Sequence, residues 1–301
     1  MNLNVVQKLN QANTNFYSQV CDSFSDTRSV PWQGWDGVLD YFANLLVRGD
    51  FPNSSAEGIT GATRTSESRL INIKSPLNIN IRDVGCGNMR FMRFVQDKLP
   101  AKLASEAGAC PDEICTINFE NIDNSSELMS SVRASSNIEH DFIANIHQDI
   151  IESLISGAPI GRSDEFKAHL SCSFGVFHHI PTMELRKKFL YEMAQGCQEN
   201  GLIAISLWQF MNDERIARKA TDFSEYAARK LEIDPGSLDQ GDYFLGWKDS
   251  DTAIRYCHHF SRKDINELTE FAKTIGLDLK QSFEADGKND GLNRYLIFQL
   301  N

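Results

Sequence analysis

Several features are missing from this chain, and each absence excludes something. No stretch approaches the roughly 20 consecutive apolar residues that a membrane helix needs, so no membrane partner is expected. The opening MNLNVVQKLN lacks a basic segment followed by an apolar core, so no secretory signal is expected. There is no C-x-x-C pair. The seven cysteines, at 21, 86, 110, 115, 172, 197 and 257, are an odd number at irregular spacing. That excludes a disulfide framework and points to free thiols in a reducing compartment, the cytoplasm. A basic excess is also missing: Lys and Arg number 30 against 41 Asp and Glu, a net charge of -11. A stand-alone nucleic-acid binder usually carries the opposite sign. No internal repeat is visible. What remains is a 301-residue chain with 41% hydrophobic and 24% charged residues. This is ordinary globular composition, long enough for one large domain or a domain with a cap.

The residues that are there organise around Asn80–Phe94, NIRDVGCGNMRFMRF. Period-two alternation up to Asp83 predicts a strand, Gly85-Cys86-Gly87 a tight turn, and Phe91, Phe94 and Val95 a helix. Strand, glycine turn and helix open a nucleotide-binding βαβ unit. A dinucleotide fingerprint expects a further glycine near 89 or 90. Met89 and Arg90 stand there, which disfavours NAD.

Upstream, residues 1–47 read as two helices, the second over about 34–47, joined by a polar loop at Phe24–Trp32. Residues 48–75, rich in Gly, Ser, Thr and Asn, read as a loop, so 1–75 forms a helical cap with its connector. From 76 to 301 strands and helices alternate. Strands are expected at about 79–84, 114–122, 141–146, 168–174, 202–208, 278–284 and 294–300. The first helix is expected at about 88–99, with a connector at 100–112. Leu202–Trp208 is almost continuously apolar, as a central strand covered on both faces would be. Residues 210–260 read as a mostly helical insertion. The alternation predicts an α/β fold: a doubly wound, mainly parallel seven-stranded sheet with an antiparallel C-terminal hairpin.

Ligands of such sheets lie beyond the carboxyl ends of the strands. Those ends carry Asp83, Gly85 and Gly87, then Asp123, then Asp149 with Ile150, then Phe174. The Asp123 carboxylate could accept two ribose hydroxyls, with Glu120 the competing choice. Asp149 and Ile150 suit the edge and face of an adenine. Taken singly, an aspartate at a strand end is more often a helix N-cap than a ligand. Three in succession after a glycine turn point to a nucleotide.

These residues resemble those of class I S-adenosylmethionine-dependent methyltransferases, through Asp83-Val84-Gly85-Cys86-Gly87, Asp123, Asp149 and the closing hairpin. More narrowly, the chain is similar to the tRNA wobble-uridine carboxymethyl methyltransferase family. Phe24–Arg28 with Pro31-Trp32, Gly85–Asn88, His178-His179-Ile180 followed by Arg186, and Arg255–His258 carry that likeness. Met89 departs from the glycine usual after the asparagine. The resemblance implies a Rossmann-like fold and S-adenosylmethionine as cofactor, with Arg28, Trp32, Cys86 and Asn88 joining the strand-end residues around it. It also implies a carboxylate nucleophile on a modified tRNA nucleoside, and allows a small activating protein subunit.

Methyl transfer from a sulfonium is a one-step displacement in which alignment supplies much of the acceleration. A carboxylate nucleophile is already ionised at neutral pH and needs only orientation, for which an arginine fork is suited. Arg28 and Arg255 are the candidates, one for the cofactor carboxylate and one for the acceptor. A hydroxyl or amine nucleophile would need a base, and His178, His179 and His258 are available. Trp208 closes strand five and either walls the acceptor pocket or belongs to the core. The adjacent histidines complete no zinc set, so no metal is expected. Two alternatives stand beside the tRNA enzyme: a small-molecule O- or carboxyl-methyltransferase, favoured by the acidic charge and enclosing cap, and a non-catalytic methyltransferase-like subunit.

Overall fold

A computed structural model describes residues 1–27, 30–48, 51, 77–107, 110–111, 114–130, 143–162, 166–247 and 250–301. The chain opens with two helices, α1 (Leu3–Asp26) and α2 (Gly34–Arg48). Asn2 caps α1 by accepting from the Val5 amide at 3.0 Å. The sheet then builds through β1 (Leu77–Val84), α3 (Arg90–Ala107), β2 (Cys115–Asp123), α4 (Ser126–Ser130), β3 (Ile143–His147), α5 (Ile150–Ser156) and β4 (Ala168–Ser173). It continues through α6 (Met183–Gln195) and β5 (Cys197–Trp208). After α7 (Glu214–Lys230), β6 (Asp242–Trp247) and β7 (Ser250–His258), the chain closes with α8 (Arg262–Thr274), β8 (Leu277–Ala285) and β9 (Asn293–Leu300).

Seven strands form one sheet in the order β3-β2-β1-β4-β5-β9-β8. The first five are parallel, and β9 joins β5 and β8 antiparallel. This is the α/β architecture read from the sequence. The chain reverses its direction of growth between β1 and β4, which opens a crevice at their carboxyl ends. The faces of β5 show why its apolar run is continuous. Leu202 and Ala204 pack in the core beneath α2 and α3. Ile203, Ile205 and Leu207 pack in the core beneath α5, α6 and α8. Both faces are buried, so the polar half of the alternation disappears. Among the described residues no helix is long and apolar enough to cross a membrane.

Two expectations are corrected. The connector placed at 100–112 is helix as far as Ala107, with Pro100 inside it. Leu99, Leu103 and Ala104 are buried at helical spacing, and that burial outweighs the hydrogen bond that the proline removes. The insertion at 210–260 is not mostly helical: beyond α7 it is an antiparallel β6–β7 hairpin. Phe244, Ile254 and Tyr256 bury together against Val5 and Leu9 of α1 and the inner face of α7, an aromatic and β-branched set suited to strands. The loop expected at 48–75 lies almost wholly outside the described residues.

Glu120, the competing ribose ligand, is occupied elsewhere. It pairs with Arg82 at 2.5 Å, with both side chains 1% exposed. Its other oxygen accepts from the Arg162 amide at 3.0 Å. A buried pair of this kind is costly to break, because the surviving charge has no solvent. Glu120→Ala is expected to destabilise the fold by about 3–5 kcal/mol, read as a lower urea midpoint at unchanged slope.

Candidate active site

A cavity of about 720 Å³ opens at the carboxyl ends of β1, β2, β4 and β5. That volume is within the range of small-molecule sites, about 300 to 1,000 Å³. Its first half is built on the turn after β1. The Gly85 and Cys86 amides donate to the Ile122 carbonyl at 2.7 and 3.1 Å, hanging the turn on the neighbouring strand. Gly85 has φ +79°, and a Cβ there would lie 2.0 Å from Val176 Cγ2. Gly87 has φ +53° and open space where its Cβ would be, so a ligand can approach its backbone. Its amide donates to Asp123 Oδ2 at 2.7 Å, and the Ser125 amide donates to Oδ1 at 2.9 Å. Each oxygen keeps a lone pair for a further donor. Burial pushes the Asp123 carboxyl up, opposed by these amide hydrogen bonds.

Met89 also sits in the left-handed region, at φ +55°. For a side chain this costs roughly 1–2 kcal/mol. The side chain turns into the core beside Asn121, is 3% exposed, and does not line the cavity. The missing glycine therefore leaves the cavity open. Arg90 does line it, stacked over Trp35 at 5.2 Å and Trp32 at 5.7 Å and donating to the Val30 carbonyl at 2.8 Å. Burial pulls its guanidinium down to about 10, so it stays cationic at neutral pH.

The other half lies between α1, the 3-10 turn Phe177–His179, the end of β5 and strand β7. His179 Nδ1 lies 2.8 Å from the Tyr256 carbonyl oxygen. A carbonyl only accepts, so Nδ1 carries the proton. In the neutral ring Nε2 then accepts from the Tyr17 hydroxyl, 2.7 Å away. His178 packs against Trp208 with ring centres 4.8 Å apart. Arg255 lies between Phe16 and Trp208, its guanidinium 5.1 and 5.3 Å from the ring centres.

Helix α1 ties both halves together. Asn10 donates to Asp149 Oδ2 at 2.9 Å, and Asn13 accepts from the Tyr256 amide at 2.7 Å. Asp149 also caps α5, its Oδ1 accepting from the Glu152 amide at 3.0 Å.

Every cofactor-side residue singled out in the sequence lines the cavity except Arg28, which lies outside the described residues. On the acceptor side Arg255, His178, His179 and Trp208 line it. His258 does not, and its candidacy as a base is corrected. It is on the opposite face of β7, where Asp242 accepts from its Nδ1 at 2.7 Å and Asp264 lies 3.7 Å from Nε2. Period-two alternation puts Arg255 on one face and His258 on the other. Sequence reasoning missed Tyr17, Asn10, Asn13 and Arg90. Tyr17 stood in an apolar helical stripe, and nothing local set it apart from its neighbours.

His178, His179 and Cys257 offer ligand atoms within 4.8 Å of one another. The set does not suit a cation. Both nitrogens of His179 already have partners, burial pushes the Cys257 thiol up to about 12, and the Arg255 charge is close enough to act on that thiol.

No protein-family model matches the chain, and no curated protein sequence matches it. Solved structures do. An S-adenosylmethionine-dependent methyltransferase from Clostridium acetobutylicum aligns over 95% of this chain and 98% of its own, with a TM-score of 0.52 and 11% identity. The complex of DhpI with SAH aligns over 98% of both chains, with a TM-score of 0.51 and 10% identity. At such identities the likeness is one of fold: the chain has the Rossmann-like fold of the class I methyltransferases.

Asp83 yields a pH test. Burial pushes its carboxyl from 3.8 up to about 7, opposed by the Cys172 thiol and the Arg90 charge and reinforced by the Asp123 charge. The folded state then holds a proton that the unfolded chain has released, so stability falls as pH rises between these values. In urea unfolding, the advantage of Asp83→Asn over the parent is expected to grow from pH 4 to 7, by up to about 1.4 kcal/mol per pH unit, and to level off above.

Proposed function

We propose that the protein is an S-adenosylmethionine-dependent methyltransferase acting on a hydroxyl or amine of a small acceptor. The observation that carries this reading is one cavity joining a glycine-turn and aspartate half to a half containing the hydrogen-bonded Tyr17–His179 pair. The residues present fit the cofactor: open backbone at Gly87, spare lone pairs on Asp123, and an apolar and acidic pair in Ile150 and Asp149. Arg90 is the described cation placed for its carboxylate. The fold's neighbours, one described as S-adenosylmethionine-dependent and one holding SAH, support the same cofactor.

When bound, the cofactor supplies an electrophilic methyl group on a sulfonium. The chain's own residues do the rest. Tyr17 Oη can take a proton from the acceptor as its own proton passes to His179 Nε2. The Tyr256 carbonyl then holds the imidazolium through Nδ1–H. Helix α1, fastened at Asn10, Asn13 and Tyr17, limits the entry of water.

The tRNA reading retains its sequence islands. The acidic balance and the enclosure by α1 favour the small molecule. Seven free cysteines fit a reducing, cytoplasmic setting.

Calorimetric titration is expected to show micromolar binding of S-adenosylmethionine and its demethylated product, and none of NAD. Absence of binding would transfer weight to the non-catalytic subunit, or to a chain that needs an activating partner. Asp123→Ala should weaken binding roughly 10- to 100-fold through lost charge-assisted bonds. Tyr17→Phe should leave that affinity within about twofold, because the hydroxyl faces the acceptor half and not the cofactor half.

A further inference from the structure

We propose that the acceptor carries an oxyanion, a carboxylate or phosphate, which docks on Arg255 and is distinct from the atom that receives the methyl group. The proposal rests on the methyltransferase reading and deepens it by naming the acceptor's charge.

Arg255 is 9% exposed and lines the cavity. Its Nε has no hydrogen-bond partner, and among the described residues the guanidinium has no ion pair. Among the described residues its guanidinium lies against two aromatic faces, Phe16 and Trp208, with the Cys257 thiol near enough to feel its charge. Among the described residues, three carboxylates around the cavity are committed to donors within the protein. Asp123 accepts from two backbone amides, and Asp149 accepts from Asn10 and the Glu152 amide. Asp286 accepts from Tyr295, Asn293 and the Gly34 amide. Arg90, the other described arginine on the cavity, donates to the Val30 carbonyl and stands on the cofactor side.

An arginine cannot shed its proton to escape burial, and an unpaired buried charge is costly. The flanking rings offset part of that cost. Among the described residues they leave the guanidinium without a hydrogen-bond partner, and a planar or tetrahedral oxyanion matches its flat donor edge in two-point contact.

The side chain is also held ready. Strand β7 is pinned from its other face, where Asp242 accepts from the Tyr256 hydroxyl and from His258, both at 2.7 Å. Arg186 donates to the same Tyr256 hydroxyl at 3.1 Å. Asp242 is thereby committed on the face away from Arg255 and cannot serve as its counter-ion. A rigid strand presenting an unpaired cation gives an incoming anion a preorganised partner. An anion there also offsets the positive charge that a sulfonium cofactor adds to the same cavity. Because Tyr17 and His179 supply a base, the anion acts as a handle, and the reacting atom is a separate proton-bearing oxygen or nitrogen.

The test uses three probes of similar size, benzoate, phenyl phosphate and neutral benzamide, each titrated into the full chain saturated with SAH. Calorimetry and intrinsic tryptophan fluorescence, to which the cavity-lining Trp32, Trp35 and Trp208 contribute, report binding. At least one anion is expected to bind 10-fold or more tightly than benzamide, and which one does so identifies the oxyanion. Arg255→Gln should abolish that discrimination, and Arg255→Lys should retain part of it, with SAH affinity within twofold of the parent in both. Equal binding of benzamide and the anions, binding of none of the three, or undiminished discrimination in Arg255→Gln overturns the proposal. SAH is titrated first in each preparation. Failure at that step counts against the chain by itself as a cofactor-binding methyltransferase, whereas SAH binding without anion discrimination overturns only the role of Arg255.

Discussion

The Asp123 carboxylate is the interaction on which the rest of this structure depends. It stands at the end of β2 and accepts from Gly87 on one oxygen and from Ser125 on the other. The first bond closes the turn after β1, and the second starts the chain toward α4. Strand β1 runs parallel to β2 in unbroken register from Leu77 opposite Cys115 to Val84 opposite Ile122. The turn therefore has to end beside the end of β2, and the carboxylate fastens it there. Amide donors favour the ionised form while burial opposes it. The same atoms that organise the turn keep lone pairs aimed at the cavity.

The far half of the cavity depends on a different device. It is assembled from segments distant in sequence: α1, the turn after β4, the end of β5 and strand β7. What holds them is a set of polar ties of which each partner is satisfied from another element. Asn13 receives the Tyr256 amide, Tyr17 meets His179, and the hydroxyl of Tyr256 reaches Asp242. Buried polar groups of this kind specify one arrangement, because any other would leave a donor or acceptor without a partner. The ties give the His179 ring a defined tautomer, and they place a helix that is apolar on one side across the cavity.

Met89 shows how a residue can depart from an expected pattern without altering the site. Its backbone takes the left-handed conformation that a glycine would take, at some cost in strain. The side chain offsets that cost by filling core space beside Asn121. In the sequence the position stands out as a missing glycine. In the fold it is a core residue with a glycine's backbone.

The order of strands and helices was legible in the sequence because it follows from local periodicity. Alternation marks β1, a doubly apolar run marks β5, and glycines mark the turn where backbone must reverse. The aspartates at the strand ends were legible for the same reason, since a strand's end is a local feature. The hairpin in the insertion was not, because Phe244, Ile254 and Tyr256 read as strand only once α1 and α7 supply the surface they bury against. Nor were Tyr17 and the separation of Arg255 from His258. Tyr17 lies 162 positions from its partner His179, and no window along the chain contains both. Arg255 and His258 are close neighbours in sequence, yet the pleat of β7 sends one to the cavity and the other to a buried ion network. Local pattern determines which elements form and where a nucleotide can approach them. The partners of each polar side chain follow from which faces those elements turn toward one another, and that is settled by packing across the whole chain.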